Sequence, residues 1–468
     1  MRHRFVLTGA VALVLSLAAA AEPWQSTYLA PASRATLIRN ATVLTGTGER
    51  LEGADVLLRD GKVAAVGKGL DGGDAQVIDA SGRWVTPGLI DVHSHLGVYA
   101  SPGVTAHSDG NEMVDPVTAQ AWAEHAVWPQ DPGFETALEG GVTSMQILPG
   151  SGNLVGGRGV TVKNVPATTY QAMKFPGAKQ GLKMACGENP KRFYGGQGRA
   201  PMTRMGNFAG YRQAFADAQE YQRGLDKYAR EKSAWDKKQG SSKGKSGKGG
   251  SGDPPALPKR DLRLETLAAA IRGDVLVHIH CYRADEMANM IDLADEFGFK
   301  ISAFHHGVEA YKVADTLAAR GICGALWADW WGFKMEAYDG IQENLALVDR
   351  PKNGCAVVHS DSQEGIQRLN QEAAKAMMRG NRVGMAITPE HAIRWVTANP
   401  AQALGVDDRT GTLEAGKMGD VVIWNRDPFS VYALAEQVFV DGALLFDRAH
   451  PAANPRSDFL LGQPGTQP

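Results

Sequence analysis

The sequence predicts a fold of the α/β class, in which a small β domain precedes a sheet whose strands alternate with helices. Residues 36–78 contain short strand-like runs separated by turn residues, for example 54–58 and 62–66 around an Arg-Asp-Gly turn. After Pro87, apolar runs alternate with helical stretches, a pattern typical of βα units and a parallel sheet. Several of these later runs end in His or Asp, which indicates a functional edge of the sheet.

Composition sets the outer bounds of this prediction. The chain has 468 residues and is 43% hydrophobic, which is ample for a large buried core. The formal net charge is −2, so nothing in the overall charge indicates a nucleic acid or an anionic membrane as a partner. We expect a small-molecule substrate and no nucleic acid, and the sequence leaves a homo-oligomer open.

Residues 1–21 predict an export signal. Arg2 and Arg4 form a basic start, residues 5–17 an apolar centre, and residues 18–21 a small-residue cleavage zone. The apolar part is shorter than the ~20 residues of a membrane-spanning helix, which favours cleavage over an uncleaved anchor. We therefore expect a secreted or periplasmic protein with no membrane attachment after cleavage.

The four cysteines lie in or beside apolar runs: Cys186, Cys281, Cys323 and Cys355. Four cysteines in so long a chain do not indicate a disulfide scaffold, and a small buried hydrophobe is the expected role of each. An oxidising compartment would also permit disulfides, whose pairing the sequence does not choose.

Seven apolar runs after Pro87 are candidate strands of the parallel sheet: 89–93, 142–147, 182–185, 275–280, 301–306, 322–327 and 356–359. The long loop at 97–132 is expected to cover the mouth of the site. Residues 211–238 predict a charged helix that runs into a Gly/Ser/Lys-rich insertion at 237–258. Such a composition cannot bury apolar area, so the insertion is expected to be flexible.

The first of these strands ends in His-x-His, at His93 and His95. Side chains alternate between the two faces of a strand, so these two imidazoles point the same way. Two imidazoles at one strand end are suited to holding one metal ion, although a packed or surface pair is the ordinary alternative. The recurrence of His and Asp at later strand ends favours the metal.

The run Pro-Gly-Leu-Ile-Asp-Val-His-Ser-His-Leu at 87–96 resembles the first-strand signature of the amidohydrolase superfamily of metal-dependent hydrolases. Within it, the chain resembles the imidazolonepropionase-like and prolidase-like branch. A second match at 399–424 is similar to the segment where these proteins leave the barrel for a β domain. The resemblance implies a (β/α)8 TIM-type barrel at 87–409. It also implies a small β-sandwich domain built from both ends of the chain, at 35–86 and 410–450.

The resemblance also implies a divalent metal, with zinc expected, as one or two ions. His93 and His95 would hold the more buried ion, and Asp361 would contact the metal at the end of the last strand. On the sixth strand, alternation from Phe304 favours His306 over its neighbour His305.

Two further strand ends leave alternatives open. His278 and His280 face the same way on the fifth strand. His278 matches the ligand of relatives, and His280 would then contact substrate or metal. On the fourth strand, Lys183 resembles a lysine that relatives carboxylate to bridge two metals. Glu188, just beyond that strand, needs no modification and is slightly favoured, whereas the lysine needs burial to lower its pKa.

These residues predict a secreted, metal-dependent hydrolase of carbon–nitrogen bonds, acting on an amide, a cyclic amide or an amino-acid-like amide. The metal would activate a water, and Asp361 would act as general base and later protonate the leaving nitrogen. Arg283 is the candidate contact for a substrate carboxylate, with Arg192 and Arg199 also near the expected mouth. The alternatives are a heterocycle deaminase on the same site and an inactive barrel that binds a ligand.

Overall fold

A computed structural model describes residues 24–242, 253–330 and 332–457. The expected signal at 1–21 therefore lies outside the described residues, and so does residue range 243–252 of the expected insertion. Within the described ranges, the strands form two eight-stranded sheets, one for the barrel and one for the β domain. The prediction of a barrel with a β domain from both chain ends is confirmed.

The strands of the barrel sheet are β6 (Leu89–Ser94), β7 (Val142–Ile147), β8 (Val155–Lys163), β9 (Gly181–Ala185), β10 (Leu276–Cys281), β11 (Ile301–His306), β12 (Cys323–Leu326) and β13 (Ala356–Val358). Their order in the sheet is β13-β12-β11-β10-β9-β8-β7-β6. Five of the ladders in this sheet are parallel, as predicted for such a barrel, but β8 runs antiparallel to both β7 and β9. The carboxyl ends of the other strands share one edge, which is where barrel active sites lie.

Strand β8 is the barrel strand that the sequence did not predict. It is buried along its whole length, yet it contains three glycines together with Arg158 and Lys163. The Arg158 guanidinium lies 4.5 Å from the Trp122 ring centre and bonds Gln180 at 2.9 Å, so its charge is accommodated inside. A Cβ on Gly157, whose φ is +117°, would lie 2.0 Å from the carbonyl oxygen of Ala121, so this position needs glycine. The glycines and charged residues interrupt the apolar pattern, so the strand was not predicted.

The β domain takes its strands from both ends of the chain. They are β1 (Thr36–Leu44), β2 (Arg50–Arg59), β3 (Lys62–Gly67), β4 (Gln76–Asp79), β5 (Trp84–Pro87), β14 (Val421–Trp424), β15 (Ala435–Val440) and β16 (Ala443–Asp447). The sheet order is β16-β15-β14-β5-β1-β2-β3, and β4 pairs with β1. One apolar cluster joins the two halves, with Ile38 and Val56 from the first and Ile423 and Phe439 from the second.

Helices cover the outside of the barrel. They are α1 (Gly133–Glu139), α2 (Tyr170–Met173), α3 (Glu188–Gly195), α4 (Arg204–Ser242), α5 (Leu262–Arg272), α6 (Ala284–Phe297), α7 (Ala314–Arg320), α8 (Asn344–Asp349), α9 (Leu369–Arg382), α10 (Pro389–Ala392) and α11 (Ala398–Ala403). Helix α4, at 39 residues, is longer at both ends than the predicted helix and takes up the start of the expected insertion. In the described ranges, no helix combines the length and the apolar character that a membrane crossing requires.

A buried ion pair fastens the β domain to the barrel. The ammonium of Lys163, at the end of β8, lies 2.6 Å from Asp420 and 3.2 Å from Asp441. Tyr28 donates its hydroxyl proton to Asp441, and Thr410 bonds Asp420 at 2.8 Å. Because buried charges are tolerated only when paired and hydrogen-bonded, this cluster specifies how the two sheets meet.

A few hydrogen bonds, rather than a strand ladder, join the first and last strands of the barrel. No backbone ladder pairs β13 with β6 in the ranges that the structure describes. Instead, the carboxylate of buried Asp91 accepts hydrogen bonds from the backbone N–H and the hydroxyl of Ser360. The backbone N–H of Asp361 then donates to the carbonyl of His93 at 3.0 Å. These bonds bring the carboxyl ends of β6 and β13 together.

The cysteines are buried, as predicted, but they are bonded in pairs rather than free. Cys186 pairs with Cys281, and Cys323 pairs with Cys355. The register of β9 against β10 places Ala185 opposite His280, which brings the next residues of the two strands together. Strand register, which sequence does not give, decides these pairings.

We predict that Ser360→Ala lowers the free energy of unfolding by about 1–3 kcal/mol, because the buried Asp91 carboxyl loses a hydrogen-bond donor. Ser144→Ala is the matched control, since the buried Ser144 hydroxyl has no hydrogen-bond partner among the described residues. Urea denaturation of both variants measures the difference. Equal stability of the two variants would contradict this account of the barrel closure.

Candidate metal centre

His93 and His95 project together from the end of β6, as predicted. The Nε2 atoms of His93 and His95 lie 3.5 Å and 3.1 Å from the same carboxylate oxygen of Asp361. The Nδ1 of His95 lies 2.8 Å from the carbonyl oxygen of Leu148, a partner that turns its Nε2 towards Asp361. The three residues form a compact group of potential metal ligands.

Asp361 follows β13 and has a left-handed backbone, with φ of +50°. Such a conformation is uncommon outside glycine and asparagine, and here it directs the carboxylate towards His93 and His95. Burial opposes ionisation, but the hydrogen bond from His95 and the nearby His359 and Lys183 hold the pKa of Asp361 below its usual value. The group is therefore a carboxylate at neutral pH.

The structure brings Lys183, rather than Glu188, to these histidines. The ammonium nitrogen of Lys183 lies 3.1 Å from the Nε2 of His93. Burial lowers the pKa of Lys183 to about 8. Glu188 is the first residue of α3, and its carboxylate lies 3.8 Å from the ammonium of Lys334 instead.

His306 reaches the group by an unusual backbone. Alternation along β11 turns Phe304 towards the helices and His305 towards the barrel interior, so it does not favour His306 as we had predicted. A φ of +71° at His306 reverses its direction and brings its Nδ1 to 3.9 Å from Asp361. Both His305 and His306 therefore face inward, one above the other.

The two histidines of β10 lie at different depths. His280, at the outer level, has its ring centre 4.5 Å from that of His306, and its Nε2 lies 3.3 Å from the amide nitrogen of Asn189. His278 lies one level deeper, with its Nδ1 2.9 Å from the Nε2 of His305. Of the two, His280 is the one beside the other candidate ligands.

His359 also belongs to the group, although the sequence did not single it out. Nitrogen atoms of His93, His306 and His359 lie within 4.8 Å of one another. The Nε2 of His359 accepts the backbone N–H of His306 at 3.3 Å. The sequence signal that could have identified His359 is its position directly after β13, two residues before Asp361.

The residues present fit a divalent metal. Among the described residues, the Nδ1 atoms of His280, His306 and His359 are buried without a hydrogen-bond partner. Burial lowers the pKa of His278 and His359 to about 3, and it drives the pKa of His93, His280 and His306 well below the ordinary value. Neutral imidazoles beside a carboxylate are donors that zinc prefers.

A cavity of about 570 Å³ opens above this group. Tyr99, Met113 and Phe193 form apolar walls, and Asn189 and Arg192 on one face of α3 add polar groups. Arg192 makes no ion pair within the described ranges, so its charge is available to a ligand. Arg283, the predicted carboxylate contact, is partly buried and pairs with Asp285 at 2.9 Å instead. Arg199 lies over the Tyr194 ring.

Residues 84–445 match the sequence profile of the Amidohydrolase family, which is more than half of the chain. The chain belongs to the amidohydrolase family. The predicted membership of the amidohydrolase superfamily is thus confirmed, and the narrower imidazolonepropionase-like and prolidase-like branch stays a prediction.

Two relatives resemble this amidohydrolase over most of its length. The crystal structure of an amidohydrolase from Thermotoga maritima MSB8 superposes with a TM-score of 0.77 at 34% identity, covering 88% of this chain and 100% of that one. Amidohydrolase tasK of Hapsidospora irregularis is 33% identical over 452 residues, which are 90% of this chain and 44% of that protein. The chain therefore spans less than half the length of this curated relative.

A third similarity is confined to a short segment. A dihydroorotase of Halalkalibacterium halodurans is 49% identical over 61 residues, which are 13% of this chain and 14% of that protein. So short a match supports the family and says nothing of the substrate.

We predict that zinc-loaded wild-type protein holds about one to two ions per chain after dialysis. Changing His93→Ala together with His95→Ala should remove most of the metal, because both candidate ligand groups include His93. His391→Asn is the control, since His391 pairs with Asp349 outside the cavity. Elemental analysis measures the ratio, and wild-type protein that stays metal-free would contradict the assignment.

Proposed function

We propose that this amidohydrolase is an exported, metal-dependent hydrolase of carbon–nitrogen bonds in amino-acid-like amides. The observation that carries the proposal is the convergence of buried imidazoles, a buried lysine and an ionised carboxylate beneath one cavity. Polar groups of this kind are costly to bury unless a hydrogen-bond partner or a ligand satisfies them.

The proposed ligands are His93, His95, Lys183, His280, His306 and Asp361. His280 takes the place of the predicted ligand His278 because only His280 lies beside His306. The Nε2 of His280 now faces the side chain of Asn189, which can move away when a metal binds. His359 is excluded because its Nε2 lone pair is engaged by a fixed backbone N–H. The donors suffice for two ions.

Lys183 is preferred to Glu188 as the fourth-strand ligand. Carboxylation by carbon dioxide requires the neutral amine, and a pKa of about 8 leaves about a tenth of Lys183 neutral at pH 7. Its nitrogen is already at 3.1 Å from His93, whereas Glu188 is engaged with Lys334. Burial thus prepares Lys183 for a modification that an exposed lysine would rarely undergo.

The reaction needs one group that moves protons. A divalent metal held by these residues would supply an activated water and would polarise the amide carbonyl. An oxygen of Asp361 would accept a proton from the attacking water and would afterwards deliver it to the leaving nitrogen. His95, whose Nε2 lies 3.1 Å from Asp361, would hold the same ion and so keep it beside the carboxylate.

Arg192 supports a substrate that carries a carboxylate. It lies on the wall of the same cavity and has no acidic partner within 4 Å among the described residues. A guanidinium binds a carboxylate through two parallel hydrogen bonds. The apolar rings of Tyr99 and Phe193 would contact the rest of an acylated amino acid or dipeptide.

Export to the periplasm or the medium is part of the proposal. The basic, apolar and small-residue pattern at 1–21 supports it, and so do the two disulfides, which persist in oxidising compartments. N-terminal sequencing that recovers Met1 on the folded protein would reject cleavage near Glu22.

The function is tested with metal-loaded protein on a panel of acylated amino acids, dipeptides, hydantoins and aminated heterocycles. We predict turnover of at least one amide of amino-acid type, and a loss of about 10²–10⁴-fold in Asp361→Asn, because an amide cannot accept the proton. Metal content is measured on the same samples. Release of ammonia from heterocycles alone would indicate a deaminase, and no turnover at all would favour a binding barrel.

We further predict that Arg192→Gln lowers kcat/KM for carboxylate substrates by about 10–100-fold, the weight of one charged hydrogen bond. Substrates with a neutral amide in place of that carboxylate should be unaffected. Arg283→Gln is the matched control, since its guanidinium is engaged with Asp285. Equal losses in both variants, or an equal loss for neutral substrates, would reject the role of Arg192.

A further inference from the structure

A line of four buried side chains runs from His93 into the floor of the barrel. The Nδ1 atoms of His93 and His305 are 3.0 Å apart. The Nε2 of His305 lies 2.9 Å from the Nδ1 of His278, and the Nε2 of His278 lies 3.5 Å from the side-chain amide of Gln146. All four side chains are buried.

The bonding pattern sets the direction of this line. The Nε2 of His93 faces Lys183 and Asp361, so a metal held there takes the Nε2 lone pair. A neutral imidazole has one N–H, so the proton of His93 must then be on Nδ1 and donate to His305. His305 in turn carries its proton on Nε2 and donates to His278, which carries its proton on Nε2 and donates to Gln146.

We infer that His305, His278 and Gln146 form a positioning chain that fixes which nitrogen of His93 faces the metal. The inference rests on the proposed function, because it requires a metal at His93. It also gives a role to His278 that the ligand set leaves without one. In most metal sites the second nitrogen of a ligating histidine donates to a carboxylate, a carbonyl or a water, and here a histidine takes that place.

Gln146 closes the chain and supplies an independent sign of it. Its amide oxygen is buried without a hydrogen-bond partner, while its amide nitrogen is the atom nearest His278. Exchange of the two amide atoms, which have nearly the same shape, gives the His278 N–H an acceptor and the orphaned oxygen a partner. The chain thus assigns the orientation of this amide.

The lateral contacts of the chain leave little room for another arrangement. His305 uses both ring nitrogens within the chain, so neither is free to bind a metal. A Cβ on Gly181 would lie 2.6 Å from Gln146 and 3.1 Å from His278, so the backbone of β9 closes against the end of the chain. The ring of His278 is therefore held at the deep level.

The test compares zinc-loaded wild type with His305→Leu, His305→Asn and the control Phe304→Leu. Leu removes both hydrogen bonds, whereas the Oδ1 of Asn occupies the position of the ring Nδ1 and can still accept the proton of His93. Phe304 is buried on the same strand but faces the helices, so Phe304→Leu reports general loss of packing. Zinc affinity is measured by competition with a chelator, and thermal unfolding is followed in each variant.

We expect His305→Leu to weaken zinc binding by ~10–100-fold, the usual effect of losing the partner of a ligating histidine. His305→Asn should lose less, and Phe304→Leu should bind zinc as wild type does. Nitrogen-15 spectra of histidine-labelled, zinc-loaded wild type should show the proton of His93 on Nδ1 and the protons of His305 and His278 on Nε2. This measurement requires no variant to fold.

Unchanged zinc affinity in His305→Leu, or a proton on Nδ1 of His278, would overturn the positioning chain while leaving the metal centre intact. Absence of zinc binding by wild type would reject the metal centre itself, and the inference with it. The wild-type titration separates these two failures.

Discussion

The site depends on how the first strand of the barrel meets the last. The buried carboxylate of Asp91 binds Ser360 by two hydrogen bonds, and the next residue, Asp361, donates its backbone N–H to the carbonyl of His93. Because the sheet has no ladder at this seam in its described strands, these few bonds set the distance between the His-x-His end of β6 and the carboxylate after β13. Burial raises the pKa of Asp91 to about 7, although those hydrogen bonds act to lower it.

Burial also determines the protonation states of the candidate ligands beside this seam. Burial keeps the imidazoles neutral, so that their lone pairs face one another rather than repelling as cations. It lowers the pKa of Lys183 by the same effect, while hydrogen bonding from His95 keeps Asp361 ionised. One environment therefore places neutral imidazoles beside a single charged carboxylate, which is the division of roles that hydrolysis of an amide requires.

Much of this arrangement follows from local pattern. Apolar runs alternating with helical stretches predicted the α/β class, and alternation predicted that His93 and His95 point the same way. The resemblance to the amidohydrolase superfamily implied the barrel and the convergence of these histidines with His306 and Asp361. The predictions failed where backbone geometry or strand register decides. A positive φ, rather than alternation, turns His306 inward, and the register of β9 against β10 pairs Cys186 with Cys281.

The sequence also does not give the depth at which each strand residue lies inside the barrel. His278 and His280 share a face and are equivalent in sequence, but only His280 lies at the level of His306. Likewise, Lys183 reaches His93 because its long side chain rises from within β9, whereas Glu188 starts a helix and turns to Lys334. Strand β8 escaped detection because glycines and buried charges mask its apolar character.

The reversal of β8 has a consequence for the evolution of specificity. A reversed strand presents its amino end to the cavity, so β7 and β8 are joined there by a short hairpin in place of a helical crossover. Gly150, Ser151 and Gly152 of this hairpin line the cavity, yet none of them belongs to the candidate ligand groups. Insertions or deletions at the tip of the hairpin can thus reshape substrate access while Leu148, whose carbonyl orients His95, stays in place. The tip is therefore a natural place for loop grafting between related enzymes.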